Sequence, residues 1–365
     1  MFKKDDNMVI HCTKKLLDEI KTTSEETTDR PLFSWHANLI SINRKKTLVL
    51  ENDLTRYPVV LYGLKAKEFK DIENVILTAI KETMLAENIS SEVIDAFIEA
   101  GDSISFAKAY DRRKISFVNQ TCQNVSFFEE DLRPDIQNQT FLTRKLGSMI
   151  AYDENKNTYR INEYMYKELE AVTKLPVFVC KAVQIKVTLK VGDYISWRKL
   201  LIPHNSTFPF LHKTLQEMFA WNDTHLHEFI IYNGDLPLAR IVQSLEVFDY
   251  PTKILLILEH DVKISEYMPK YKKIIYRYDM GDNWEHIIEV EDLIFNYDKN
   301  YPTCIEGEGD SPPEDVGGET GFLEFQNIIK DPSHEQHVDI MEWAHMQRYQ
   351  LFDINKINMR LKNIY

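Results

Sequence analysis

Cysteine is scarce and scattered: Cys12, Cys122, Cys180 and Cys304 are the four in 365 residues, and no C-x-x-C pair occurs. That spacing excludes a zinc ribbon and a disulfide scaffold, and it fits a reducing compartment. Long apolar runs are missing too. A stretch such as "ILLIL" at 254–258 is strand-sized, far short of the roughly 20 residues of a membrane span. The start, "MFKKDDNMVIHC", carries acidic residues where a signal peptide needs an apolar core. Nor is there an excess of positive charge, since 44 Lys and Arg stand against 57 Asp and Glu, a formal net charge of −13. Such a field repels phosphate backbones and disfavours non-specific nucleic-acid binding by the surface as a whole. These absences lead to the expectation of a soluble cytoplasmic protein with no membrane partner.

What is present is enough apolar material for packed interiors: 44% of the residues are hydrophobic. A chain of this length exceeds one ordinary core, so two domains are expected. Met8 to Cys12 reads as a first strand, and Thr13 is placed to cap "KKLLDEIK". Three strand-like runs follow, "WHANLISIN" (35–43), "KTLVLEN" (46–52) and "YPVVLYG" (57–63). Asp71 to Ala86 has the apolar spacing of an amphipathic helix, and further helical signals occupy 92–100 and 159–171. Pro176 breaks the helical pattern.

A second unit then opens. "VQIKVTLK" (183–190) alternates at period two, with "SWRKLLIP" as its partner strand. Ser206 or Thr207 caps a helix with Pro209 in its first turn. "HLHEFIIYN" (225–233), "KILLILEH" (253–260) and the hairpin "YRYDMGDNWEHIIEV" (276–290) read as strands, with Met280-Gly281 supplying the hairpin turn. A loop rich in Gly, Pro and acid comes next. Three short helices close the chain, at 321–330, 332–346 with Asp331 as cap, and 354–363.

Polar residues cluster in three places of this second unit. His225 and His227 are two apart, which on a strand points both imidazoles the same way, roughly 6–7 Å apart. The hairpin adds Asp279, Asp282, Trp284 and His286; the loop adds Cys304, Glu306, Glu314 and Asp315 beside Gly307, Gly309, Gly317 and Gly318. Histidine with carboxylate suits zinc or another divalent ion, and suits general acid–base work equally. The bland alternative is a scaffold in which a histidine alternating with Trp284 and Ile288 is a hydrogen-bonded core residue, and the aspartates accept turn amides.

The motifs "WNDTHLHEF", "YDMGDNWEHIIEVE" and "YPTCIEGEGDSPPEDVGG" resemble the plasmid pRiA4b ORF-3-like family in their order, over roughly residues 178–362. They depart at Met280, where that family usually has an aromatic or aliphatic residue, and at Val316, where it often has a second cysteine. The resemblance implies an α+β fold and a prokaryotic mobile-element context, but no mechanism. Residues 8–172, through "IHCTKKLL", "PLFSWHANLISINRKKTLVLEND" and "LGSM", resemble a short prokaryotic domain of unknown function. There His36 lies on the signature strand, as a pocket residue or a satisfied core histidine.

The expected architecture is therefore α+β in two domains, 1–174 and 178–365, each a small, mainly antiparallel sheet packed with helices. The leading functional expectation is a non-catalytic binding or adaptor protein without a cofactor. It would use the acidic loop and hairpin cleft for an unknown protein or small-molecule partner, through His225, His227, Asp279, Asp282, Trp284, His286, Cys304, Glu306, Glu314 and Asp315. The alternative is a metal-dependent hydrolase or nuclease, with zinc or another divalent ion on His225, His227, Asp279, Asp282 and His286. Nucleic-acid contact would fall to the basic runs Arg44, Lys45, Lys46 and Arg112, Arg113, Lys114. A recombinase ranks last, because no serine-nucleophile strand with an arginine cluster is evident.

Overall fold

A computed structural model of the chain describes residues 7–101, 103–153, 155–244, 246 and 252–364, so the first half of the acidic start lies outside the described residues. The chain divides into two compact units, Met1–Phe178 and Val179–Ile364. No helix among the described residues is long and apolar enough to cross a membrane.

The N-terminal unit runs β1 (Met8–Cys12), α1 (Lys14–Ile20), β2 (Ser34–Ile42), β3 (Lys45–Asn52), β4 (Pro58–Leu64), α2 (Ala66–Phe69), α3 (Ile72–Ala86) and α4 (Ser91–Ala100). It continues with β5 (Ile104–Lys108), α5 (Arg112–Phe127), α6 (Thr140–Gly147), β6 (Ile150–Tyr152), β7 (Thr158–Arg160) and α7 (Ile161–Thr173). Five strands form one sheet in the order β4-β3-β2-β1-β5. The fold is α+β, but the sheet is less antiparallel than expected: β1 pairs in parallel with both β2 and β5. β1 has the burial of such a strand, buried at every position rather than alternately.

Alternation sorts the other strands between two cores. Trp35, Ala37, Leu48, Leu50, Val59 and Leu61 face one way, onto Ile76, Ile80, Phe97 and Met165. Val49, Val60 and Tyr62 face the other way, with Val118, Cys122 and Leu142. Thr13 is the N-cap residue of α1 without capping it by its side chain; its hydroxyl donates instead to Asn38 Oδ1 at 2.9 Å. Arg112, Arg113 and Lys114 lie in the first turn of α5, behind an Asp111 cap that accepts the Arg113 and Lys114 amides.

The C-terminal unit runs β8 (Cys180–Val191), β9 (Tyr194–Pro203), α8 (Phe208–Phe219), β10 (His227–Asn233), β11 (Leu236–Val242), β12 (Leu255–Leu258), β13 (Lys273–Tyr278), β14 (Trp284–Tyr297) and β15 (Thr303–Glu308). Helices α9 (Gly318–Lys330), α10 (His337–Met346) and α11 (Ile354–Leu361) follow. Its eight-stranded sheet, ordered β12-β11-β10-β13-β14-β8-β9-β15, is larger than expected. It is antiparallel except where β11 meets β12. Phe208, Leu211, Leu215 and Phe219 of α8 pack on Val187, Phe229, Tyr276 and Ile288 of the sheet, and Phe322, Phe325 and Ile357 from the closing helices join the same core. Thr207 caps α8 by accepting the Phe210 amide, with Pro209 in the first turn.

Two local expectations are corrected. The hairpin turn between β13 and β14 does not use Gly281 for a left-handed residue; the positive φ values fall on Asp279 (56°) and Asn283 (55°), residue types that tolerate this region. Asp331 does not start a helix. It closes α9, and its carboxylate accepts the Ser333 amide and hydroxyl, so α10 begins at His337.

Candidate functional site

The three motifs meet at one corner of the C-terminal sheet. Asp279 follows the end of β13, and its Oδ1 accepts the Gly281 amide at 2.8 Å and the Asp282 amide at 3.3 Å. The loop after β15 is fastened to that turn from above. Glu314 is buried, with Oε2 accepting the Asn222 amide at 2.6 Å and Oε1 accepting the Thr224 hydroxyl at 2.9 Å and the Tyr278 hydroxyl. Tyr278 in turn accepts the Thr224 amide at 3.0 Å. Asp282 Oδ2 accepts the Gly317 amide at 3.2 Å. Glu314 is thus satisfied by three donors, while Asp282 and one oxygen of Asp279 accept backbone amides.

What stays open is a triad. His225 Nε2 stands 2.9 Å from Asp315 Oδ1 and 3.6 Å from Asp279 Oδ2. One ligand atom from each of the three residues falls within 4.8 Å of the others, a spread that a single ion could bridge. The side chains of His225 and Asp315 are 31% and 53% exposed while that of Asp279 is 10% exposed, so the triad faces solvent from a fixed base.

The other expected ligands go elsewhere. His225 precedes β10, so strand alternation does not tie it to His227. His227 turns inward, stacks on His212 and places Nε2 2.8 Å from Glu259 Oε2. His212 itself reaches Asp223 Oδ1 at 2.7 Å and the Tyr276 hydroxyl at 2.8 Å. His286 is wholly buried in a box of Phe219, Trp221 and Tyr276, with ring centroids 4.6, 5.3 and 5.3 Å away. Neither of its nitrogens makes a hydrogen bond of good geometry, and burial pushes its pKa down to about 3 against a weaker opposing pull from the Tyr276 and Trp284 backbone. It is a core residue, set apart from the cation-facing side chains. Asp282 is committed to Gly317, so the five-residue metal set is not assembled.

Trp284 and Cys304 are core residues, and burial raises the Cys304 thiol to about 11. Glu306 is an exposed partner of Lys199 at 3.4 Å. Sequence reasoning missed Glu259, His212, Asp223 and Tyr278, whose roles come from contacts distant along the chain.

The N-terminal unit has a polar cluster of its own. His36 Nδ1 lies 2.6 Å from Asp53 Oδ1, and Ser34 donates to Asp53 Oδ2 at 2.5 Å. His11, opposite His36 in the parallel register, stacks on it at 4.9 Å. Burial, then the nearby His36, lowers the pKa of His11. His11 Nδ1 and His36 Nε2 are buried without a partner. Of the basic runs, Lys46 pairs with Glu19 at 2.6 Å and Lys114 donates to the Asp53 carbonyl.

The chain belongs to the plasmid pRiA4b ORF-3-like protein family, whose model matches residues 181–361. Residues 9–162 match a domain of unknown function, DUF6933. The uncharacterized protein y4hQ of Sinorhizobium fredii is 32% identical over 171 residues, which cover 47% of this chain and 84% of that protein. A crystal structure of the protein of unknown function MM3350 from Methanosarcina mazei is 30% identical, with a TM-score of 0.42, over 48% of this chain and 96% of that one.

Proposed function

We propose that this chain is a binding protein whose C-terminal unit recognises a divalent cation, of the zinc or manganese class, at His225, Asp279 and Asp315. The observation that carries the reading is the approach of these three donors to within 4.8 Å on an exposed corner. One imidazole and two carboxylates form a mixed donor set suited to such ions, and three protein ligands leave positions for water or for a partner's own oxygen. Binding is favoured over hydrolysis because the neighbouring candidate bases are occupied: Glu314 by three donors, Asp282 by Gly317, and His227 by Glu259.

Equilibrium dialysis of the purified full chain against zinc and manganese tests this. About one equivalent of ion should be retained by the wild type and lost in His225→Ala and Asp315→Asn. Both variants should keep their melting temperature, since both side chains sit at the rim. No stoichiometric ion in the wild type, or equal retention in both variants, overturns the proposal. Metal-dependent cleavage of a phosphodiester or peptide that is lost in Asp315→Asn would make the corner a hydrolase site instead.

A further inference from the structure

Arg198 has no place in the cation corner, yet the acidic, glycine-rich loop is built around it. Alternation along β9 puts Arg198 on the core side with Ser196, Leu200 and Ile202, and it is 1% exposed. A buried guanidinium ordinarily sits against a carboxylate, because an uncompensated charge in a poorly polarisable interior is costly. Here every acceptor it meets is neutral. Nη1 donates to Ser196 Oγ, the Trp197 carbonyl and the Glu308 carbonyl at 3.2, 2.8 and 2.9 Å. Nη2 has only Ser311 Oγ at 3.5 Å, and Nε has no partner.

The guanidinium is covered by aromatic rings, with Phe352 at 4.3 Å and Phe219 at 5.4 Å. What is left with the fewest partners is the buried Nε–Nη2 edge, the fork that takes an oxyanion in two parallel hydrogen bonds. A small pocket adjoins it; its lining includes Arg198, Ser311, Gln350 and Arg360 together with exposed Leu351. The acids nearby are engaged. Asp353 also lines the cavity but accepts the Asn355 and Lys356 amides, and Asp310 accepts the Phe352 amide.

The glycines of the loop belong to this arrangement. A Cβ at Gly307 would lie 2.9 Å from Arg198 Cδ, and one at Gly309 would lie 2.5 Å from the Ile195 carbonyl oxygen. Only bare backbone lets β15 and the segment after it press onto the arginine.

We propose that Arg198 holds a small oxyanion on its Nε–Nη2 edge, in a site separate from the cation corner. Carboxylates and tetrahedral inorganic oxyanions share the required chemistry, two acceptor oxygens spaced for a planar fork. The site does not depend on the cation reading.

Thermal melting of the full chain at constant ionic strength is the test, with chloride replaced stepwise by formate, acetate, phosphate or sulfate. The wild type should show a saturable rise in melting temperature with at least one of these anions. A response to formate or acetate marks a carboxylate site, and one to phosphate or sulfate alone marks a tetrahedral-oxyanion site; each supports the proposal. Arg198→Met should abolish the response, and Arg198→Lys, which keeps the charge without the fork, should weaken it by about tenfold. Should neither substitution fold, Ser311→Ala should still weaken the wild-type response, read equally from Trp221 fluorescence. His225→Ala should leave it unchanged. No saturable effect of any anion on the wild type, or an undiminished effect in the folded variants, overturns it.

Discussion

The imidazoles of His212 and His227 stack face to face, with ring centroids 3.5 Å apart and planes within 5°. Each is held by a carboxylate, Asp223 for His212 and Glu259 for His227. Protonating both rings would set two positive charges against each other.

That relationship, with His286, predicts acid lability. Burial lowers the pKa of His212 from 6.5, and takes His286 from 6.5 to about 3. The unfolded chain therefore takes up protons that the folded chain refuses. The stability these histidines contribute is complete above pH 6.5 and is lost as the pH falls below it, at about 1.4 kcal/mol per pH unit for each fully refused proton. Urea midpoints should be flat just above neutrality and decline below pH 6.5. His286→Leu, close in volume and without unpaired nitrogens, should reduce the decline and cost less than about 1.5 kcal/mol at pH 7. An unchanged acid profile in that variant counts against the assignment.

Glu314 should be the most sensitive polar residue of the corner. It accepts from Asn222, Thr224 and Tyr278 while almost wholly buried. Glu314→Ala strands three donors and should lower stability by about 2–4 kcal/mol. Hydrogen exchange should rise first at the amides of Asn222 and Thr224. A loss below about 0.5 kcal/mol would mean that the loop is fastened by other contacts.

Gly309 has φ +82° and no space for a side chain. Gly309→Ala combines a left-handed strain with a backbone clash and should cost at least about 2 kcal/mol by chemical denaturation. Gly234, also left-handed with φ +62° but with nothing within 4 Å of an added Cβ, should lose only about 1 kcal/mol on the same change. Equal losses at both positions would remove close approach as the reason for glycine at 309.

In the N-terminal unit Glu87 is buried beneath the hydroxyls of Tyr57 and Tyr166. Burial raises its pKa above 4.5. The folded chain thus keeps a proton that the unfolded chain releases, and the stability linked to it is full below pH 4.5 and falls as the pH rises through the folded value. Glu87→Gln removes that slope. Its stability relative to wild type should improve from pH 4.5 upward, read from paired urea titrations, whereas a constant difference would contradict the buried neutral acid.

Much of the frame was legible in the residues themselves. The alternation of Val183 to Lys190, the cap at Thr207 before Pro209 and the short strand of Met8 to Cys12 each depend on neighbours a few positions away, so local spacing carries them. The place where the motifs meet was legible only as a cluster of residue types. Whether His225 or His227 reaches Asp279 depends on where a strand begins, and whether Asp331 opens a helix or closes one depends on its amide reaching back to the Ile328 carbonyl. Alternation alone puts Arg198 inside β9, but that its charge meets only neutral oxygens follows from a loop more than a hundred residues later folding over it. Composition and periodicity determined many of the strands and helices and the faces they bury. The tertiary structure decided which polar groups satisfy one another and which are left over, because hydrogen bonds between distant segments form only once the sheet has set their register.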